Sequence, residues 1–365
     1  MTANSNRRYA YIDSLRALAA FSVIYYHTAL HYVFYGKTTS DAEYVMFYIS
    51  TVIFDFGKVG VIIFFAISGF VVPFSLLRAR NRPIISFAIS RIFRLYPAYW
   101  ASIAAAILVL QPNFDTAKII ANLFMIQQFI GIENIQGLYW TLQIELVFYI
   151  LCAAFFYFGL LNKNRNIIVI ATCNLMLALV MAIARFYLEK QLPVAIPLSL
   201  AIMFWGILWR RQILENDAEA KRFSMIFLIV FSSLIFPISY FGYQLDETMP
   251  LIWLRYVSTY YLALIIFVLF TKYIHLNSPF LSYLGTLSYS IYLFGSISSV
   301  IVTRFIGYSL FGISHLQIII SCALASSIAY VVYNLIEAPA IRMGHFLSAN
   351  VQNTPARVRS IEPGA

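Results

Sequence analysis

Ten apolar runs of spanning or near-spanning length leave this chain little choice of fold. They fall near Ile12 to Phe34, Gly57 to Leu77, Leu95 to Leu110, Leu138 to Leu160, Ile167 to Leu188, Val194 to Trp209, Phe223 to Phe241, Leu251 to Thr271, Leu281 to Thr303 and His315 to Ile336. In hydrocarbon each backbone N–H and C=O must be satisfied within its own segment, so runs of this kind fold as helices. The expected fold is all-α, a polytopic integral membrane protein with about ten transmembrane helices. Ten spans of roughly 20 residues take up about 200 residues and leave short loops. Only 11% of the 365 residues are charged, against about 25% in a soluble domain, which excludes a soluble globular protein. The polar start MTANSNRRY lacks a small-residue cleavage site, so the first run is expected to stay as a span. An eleventh stretch, Ala117 to Ile130, is too short to cross and reads as re-entrant or interfacial. Residues 1–347 read as one transmembrane domain, and 348–365, rich in Asn, Pro and Arg, as a disordered cytoplasmic tail.

Charge placement sets the orientation. The net charge of +10 would suit nucleic acid in a soluble protein, but in a polytopic chain the positives mark the cytoplasmic side. With the N-terminus inside, seventeen of the 25 Lys and Arg fall in the cytoplasm, among them Arg7, Arg8, Arg78, Arg80, Arg82, Arg91, Arg94, Arg210, Arg211, Arg357 and Arg359. The other face receives Lys37, Lys58, Lys118, Arg185, Lys190, Arg255 and Arg304, with the acidic residues Asp41, Glu43, Asp55, Asp246 and Glu247. Both termini are therefore expected in the cytoplasm, and no nucleic-acid partner is expected. Cys152, Cys173 and Cys322 lie inside apolar runs without CxxC spacing, which offers neither a disulfide framework nor a metal site.

An ionisable group at membrane depth is costly, so each one is a candidate functional residue. Arg16 lies four residues into the first span, and His27 follows it by eleven residues, roughly 16 Å along the axis on nearly the same face. Arg16 reads either as a snorkelling anchor or as a site group, and His27 either as a hydrogen-bonded core histidine or as a base. Glu145, about seven residues into the fourth span from its outer end, is expected near the depth of His27. A carboxylate there could fix the imidazole tautomer and activate a hydroxyl, could hold two spans together, or could serve a proton-coupled transporter. Arg91 and Arg94, three apart before the third span, suit either a phosphorylated ligand or anionic lipid. Ser68 and Gly69 in the second span suit close helix packing or a substrate lining. Trp140 and Tyr139, near a membrane edge, could stack on sugar rings or belong to an aromatic belt.

Taken in order, DSLRALAAFSVIYYH, GVIIFFAISGF, RIFRLYPAYW, WTLQIELVFY, LGTLSYSIYL and IEAPA resemble the membrane-bound acyltransferase 3 family, whose members O-acylate surface sugars, Nod factors and some macrolides. The resemblance covers nearly the whole chain. It implies that Arg16 and His27 are the family's Arg–His pair, Arg91 and Arg94 its RxxR pair for acyl-CoA, Glu145 the glutamate of WxLxxE, and Ser68 and Gly69 its serine–glycine pair. Many members carry a histidine after SYxxYL, where this chain has Phe294, Gly295 and Ser296, so that residue's role does not transfer. Larger members append an extracytoplasmic hydrolase-like domain, which the 29 residues after Ile336 are too few to form, so transfer to the final acceptor is expected to be direct. The implied activity is movement of an acyl group, acetyl by preference, from cytoplasmic acyl-CoA to a hydroxyl of a carbohydrate or lipid-linked glycan at the bacterial inner membrane. Acyl-CoA is then a substrate and no resident cofactor is expected. A proton-coupled transporter and a non-catalytic partner of polysaccharide assembly are the alternatives.

Overall fold

The computed structural model describes residues 10–35, 40–79, 81–110, 114–244, 252–306 and 314–353, and every regular element among them is helical. The first half of the chain forms α1 (Ala10–Tyr35), α2 (Asp41–Tyr48), α3 (Phe56–Val71), α4 (Pro73–Arg78), α5 (Pro83–Leu110), α6 (Thr116–Leu123) and α7 (Trp140–Tyr157). The second forms α8 (Asn164–Leu188), α9 (Ala195–Leu214), α10 (Ala218–Tyr243), α11 (Ile252–Leu269), α12 (Pro279–Thr286), α13 (Ser288–Ile306), α14 (Ser314–Val332) and α15 (Ala338–Asn353). Helix starts follow from side-chain chemistry. Asp55 accepts the Lys58 amide at 2.8 Å to open α3, Asp217 accepts the Ala220 amide at 2.9 Å to open α10, and Ser278 with Pro279 opens α12. Each cap satisfies an amide that the helix itself leaves without a partner. The Asp217 carboxyl lies in a polar loop, where the Ala220 amide and the Asn164 side chain hold it below the ordinary carboxylate range.

Among the described residues, seven helical stretches are long and apolar enough to cross a membrane: Phe56–Leu77, Pro83–Leu110, Gly137–Tyr157, Asn164–Leu188, Ala218–Tyr243, Ile252–Ile274 and His315–Asn353. The pair α12 and α13, bent by 75° at Leu287, makes an eighth if it forms one broken span. Of the ten expected runs, α1 and α9 fall outside this set. Asp13, Arg16, His27 and His31 lower the apolarity of α1, and Arg210, Arg211 and Gln212 lower that of α9. Both helices are nevertheless central. Helix α9 is buried on all sides from Pro197 to Gln212, wedged among α3, α8 and α10, while α1 packs on α3, α12, α13 and α14.

Close backbone approach sets two of these crossings. A Cβ on Gly69 would stand 1.8 Å from the Met203 carbonyl oxygen, and one on Gly206 would meet the Ala66 carbonyl at 2.7 Å, so α3 and α9 cross glycine to glycine. A Cβ on Gly285 would fall 1.9 Å from the Asp13 carbonyl, which brings α12 onto the start of α1.

Three expectations need revision. Arg210 and Arg211 are buried helix-end donors rather than free loop charges. Arg210 donates to the Phe70 carbonyl at 2.8 Å and lies 4.0 Å over the Phe74 ring, and Arg211 donates to Asn164 and to the Leu161 carbonyl, both at 2.7 Å. Carbonyls at helix C-termini lack intrahelical donors, and guanidinium groups fill that role. Nor does the tail begin at Ser348, since α15 continues through Asn353. Ser348 is buried against Ser86, and Gln352 donates to the Ser86 hydroxyl at 2.7 Å. Residues 354–365 lie outside the described residues, as do Arg7, Arg8, Lys37, Arg80, Asp246, Glu247, Arg357 and Arg359. In the short stretch Ala117 to Ile130, α6 has eight residues, about 12 Å, too short to cross. Asn122 near the end of α6 is buried, as are Gln127, Gln136 and Tyr139 in the segment that follows, so this segment dips into the bundle before α7 starts. This dip moves Glu145 away from the depth expected for it.

Candidate active site

Where α1, α3, α5, α7, α13 and α15 converge, they enclose a cavity of about 340 Å³. Its polar wall carries Arg16 from α1, Ser68 from α3, Ser90, Arg91 and Arg94 from α5, Thr141, Glu145 and Tyr149 from α7, Ser288, Tyr289 and Tyr292 from α13, and His345 from α15. The apolar wall is Val61, Phe64, Phe65, Ile67, Val71, Leu95, Leu142 and Ile341. Residues from motifs spread over more than 300 positions thus share one space.

The wall is held by hydrogen bonds. Tyr149 donates to Glu145, Tyr289 donates to the Leu95 carbonyl at 2.8 Å, and the Tyr292 and Thr141 hydroxyls pair at 2.8 Å. Tyr149 follows Glu145 by four residues, hence sits one turn along on the same helix face. Arg16 lies 3.7 Å from Asp13 and feels the carboxylates of Glu145 and Glu337. Arg94 is attracted to Glu337 and Glu145 in turn. Arg91 has different surroundings: its guanidinium donates to Ser75 at 3.3 Å and stacks near the rings of Phe87 and Tyr149, 5.3 and 5.6 Å away. Arg16 and Arg94 thus stand among the carboxylates of Asp13, Glu145 and Glu337, opposite charge of the kind a buried guanidinium requires.

Arg16, Arg91, Arg94, Glu145 and Ser68 are brought together; the other four predicted residues are not. His27 is exposed, about 16 Å along α1 from Arg16, edge-on to Tyr26 with ring centroids 5.3 Å apart. The carboxylate acting on it is Asp55, not Glu145. Asp55 in turn holds Arg255 at 2.9 Å, and Arg255 donates to the Tyr26 hydroxyl at 2.6 Å. The expected His27–Glu145 pair is thereby replaced by two separate clusters. Counting depth from the ends of the apolar runs missed the dip before α7, which sets Glu145 level with Arg16. Gly69 does not line the cavity because Met203 occupies the space beside it. Tyr139 is fully buried, hydrogen-bonded to Ser102 at 2.9 Å and to Gln136 at 2.7 Å. Trp140 packs behind the wall, 6.3 Å from the Phe65 ring. Tyr139 is closed to a sugar, and Trp140 is half-buried outside the cavity lining.

Sequence reading did not single out Asp55, Tyr149, Tyr289, Tyr292, Glu337 and His345. Signals existed for two: Tyr149 stands at i+4 from Glu145, and Glu337 is a carboxylate at the end of an apolar run, just before Pro339.

Such a cavity can seat a chain with anionic groups at its arginine-bearing mouth and an apolar arm along α3. Among the curated proteins and the solved structures none matches this chain. The acyltransferase 3 family model, described as an acyltransferase domain, matches residues 9–334 and so takes in five of the six helices that line the cavity, all but α15. With Arg16, Ser68, Arg91, Arg94 and Glu145 gathered around one space, the chain belongs to the acyltransferase 3 family of membrane acyltransferases.

Proposed function

We propose that this protein is an O-acyltransferase of the bacterial inner membrane, with ten spans and both termini in the cytoplasm, that moves an acetyl group from cytoplasmic acetyl-CoA to a hydroxyl of a carbohydrate or lipid-linked glycan. The observation that carries the reading is the meeting of Arg16, Arg91 and Arg94 with Glu145 around one cavity in a chain of this family. Guanidinium groups take phosphate oxygens bidentately, and Arg91, compensated by no carboxylate among the described residues, is the one best suited to them. The pantetheine arm would follow the apolar wall of α3 past Ser68, Arg16 and Glu145 toward His27.

In the transfer step the acceptor hydroxyl loses its proton to a base as its oxygen attacks the thioester carbonyl. The carbon–sulfur bond then breaks and the CoA thiolate leaves, taking up a proton. His27, with the Asp55 carboxylate acting on it, would be the base, or a transient acyl carrier, a role that requires the thioester to reach its end of α1, about 16 Å beyond Arg16. Glu145, held by Tyr149, positions Arg16 along the path of the arm.

Purified protein given acetyl-CoA and an acceptor glycan tests this reading. Acceptor-dependent release of free thiol, with acetate appearing on the glycan, is expected. Solute movement without thioester consumption would identify a transporter, and neither activity would identify a scaffold.

A further inference from the structure

Helix α15 begins at Ala338, beyond residue 334 where the family match ends, yet it supplies Ile341 and His345 to the cavity wall. Its faces divide the work. Gly344, Ser348 and Gln352, at intervals of four, meet α5 and the residues just before it. A Cβ on Gly344 would stand 2.7 Å from that of Phe93, and the Ser348 and Ser86 hydroxyls pair. Gln352 donates to Ser86 at 2.7 Å, and its carbonyl accepts the Asn81 amide at 3.0 Å. Three successive turns of α15 are thus fixed to its neighbour. Ile341 and His345, also four apart, form the face that lines the cavity. Helix α5 is divided in the same way, since Ser86 bonds α15 while Ser90, one turn on, lines the cavity beside Arg91.

The His345 side chain is exposed and makes no hydrogen bond or ion pair among the described residues. It is a donor on a rigid support with no structural bond to make. Its neighbours indicate what it would take. Arg91 gives one N–H to Ser75 and lies near two aromatic rings, and α4, α5 and α15 contain no Asp or Glu. The carboxylate nearest to α15 along the chain, Glu337, accepts from Ser290, and the one that lines the cavity, Glu145, accepts from Tyr149. A guanidinium, a hydroxyl and an imidazole on helices without acidic residues suit an anion with several oxygens, a phosphate or diphosphate.

We propose that His345, with Ser90 and Arg91, forms a phosphate subsite at the cavity mouth and takes the phosphate-bearing end of the acyl-CoA donor. This rests on the acyl-CoA reading above. The imidazole donates to phosphate oxygens through one or both ring nitrogens, and an approaching anion favours the form in which both carry protons. Because α15 is already docked on α5, the ligand does not have to order it. His345→Ala should therefore weaken CoA binding by roughly 10-fold, as loss of one charge-assisted hydrogen bond does, and leave binding of pantetheine, the phosphate-free part of CoA, unchanged. His345→Arg keeps a donor and a positive charge, so its CoA affinity should stay near that of wild type. A purely structural role for His345 predicts another pattern, an equal loss for both ligands.

The experiment is titration of CoA and of pantetheine into the full chain in phosphatidylcholine nanodiscs, which hold no anionic lipid, with the melting temperature of each variant. Wild-type protein that binds neither ligand overturns the donor reading itself. Wild-type CoA binding that His345→Ala leaves unchanged overturns only the subsite, as does an equal loss for CoA and pantetheine. If pantetheine binds too weakly to titrate, His345→Arg and the melting temperatures decide. CoA affinity kept in His345→Arg and lost in His345→Ala, with both variants melting like wild type, supports the subsite. Equal loss of CoA affinity in the two variants, or a lowered melting temperature in His345→Ala, overturns it.

Discussion

The two charged clusters along α1 make different demands on a mutant. Glu145 is bonded to Tyr149 and faces Arg16, whereas His27 faces Asp55 and Tyr26 about 16 Å away. Sites that share no partner usually combine additively. His27→Ala should lower kcat by about 10² to 10⁴-fold, the usual weight of a general base. Glu145→Ala should act chiefly on the donor end, and the two losses in kcat/KM should multiply in the double mutant. Tyr149→Phe and Glu145→Ala, which remove parts of one unit, should combine to little more than the larger single loss. Steady-state acetyl transfer by the four variants checks both statements, and a non-additive His27–Glu145 pair would mean that the clusters meet during turnover. Arginine identity can be read in the same assay. Arg91→Lys keeps the charge but not the planar fork, and losing one charge-assisted hydrogen bond costs about 1.5 to 3 kcal/mol, so donor affinity should fall roughly 10 to 100-fold. Full retention of affinity would return Arg91 to the role of a lipid anchor. At this scale the sequence shows which residues are chemically unusual in a membrane. It conceals which of them meet, because partnership depends on where each helix enters the bundle, as the dip before Glu145 illustrates.

The elements were far more legible, since an apolar run bounded by polar punctuation is a local signal. All ten runs reappear as helices or parts of helices, with Asp55, Asp217 and Ser278 marking starts. Two things escaped a local reading. One is the π turn at Tyr333–Glu337, which lets α14 run on into α15 and carries His345 to the cavity mouth. The other is why Ser68 and Gly69 are neighbours: a serine that lines the cavity sits beside a glycine that lets α9 approach. Adding a side chain separates these two roles. Gly69→Val should force α3 from the Met203 carbonyl, cost on the order of 1 to 3 kcal/mol or more of stability, and lower the melting temperature in detergent. Ser68→Ala leaves the crossing intact, so it should alter the KM for acetyl-CoA with no change in melting temperature. Equal thermal stability for Gly69→Val and wild type would show that the α3–α9 contact is looser than the geometry implies.

At the scale of the whole molecule the undecided question is whether α9 crosses. It fails a composition test because Arg210, Arg211 and Gln212 crowd its last turn, yet it is buried all round and has 20 residues, about 30 Å. Its far end supplies a second, independent argument. Arg211 reaches back to Asn164 at the start of α8, and the Asn164 amide donates to Asp217 at 2.8 Å, so the start of α8 and the end of α9 lie at one end of the bundle. Helix α8 runs 25 residues away from that end, and α9 has to return through the same thickness. The charges agree, since Lys163, Arg165, Lys221 and Arg222 flank this junction and the positive-inside rule puts them in the cytoplasm. Here burial of Arg210 and Arg211 removes two charges from the count without reversing it, because the neighbouring Lys and Arg remain. Phosphatase fusions at positions 164, 190 and 216 read the arrangement directly. Activity is expected only at position 190, between α8 and α9, where the chain should emerge on the outer side. A fusion active at 216 would leave α9 uncrossed, invert every helix after it, and place α13 and α15 the wrong way round to deliver Tyr289, Tyr292 and His345 to a cavity that opens toward cytoplasmic acyl-CoA.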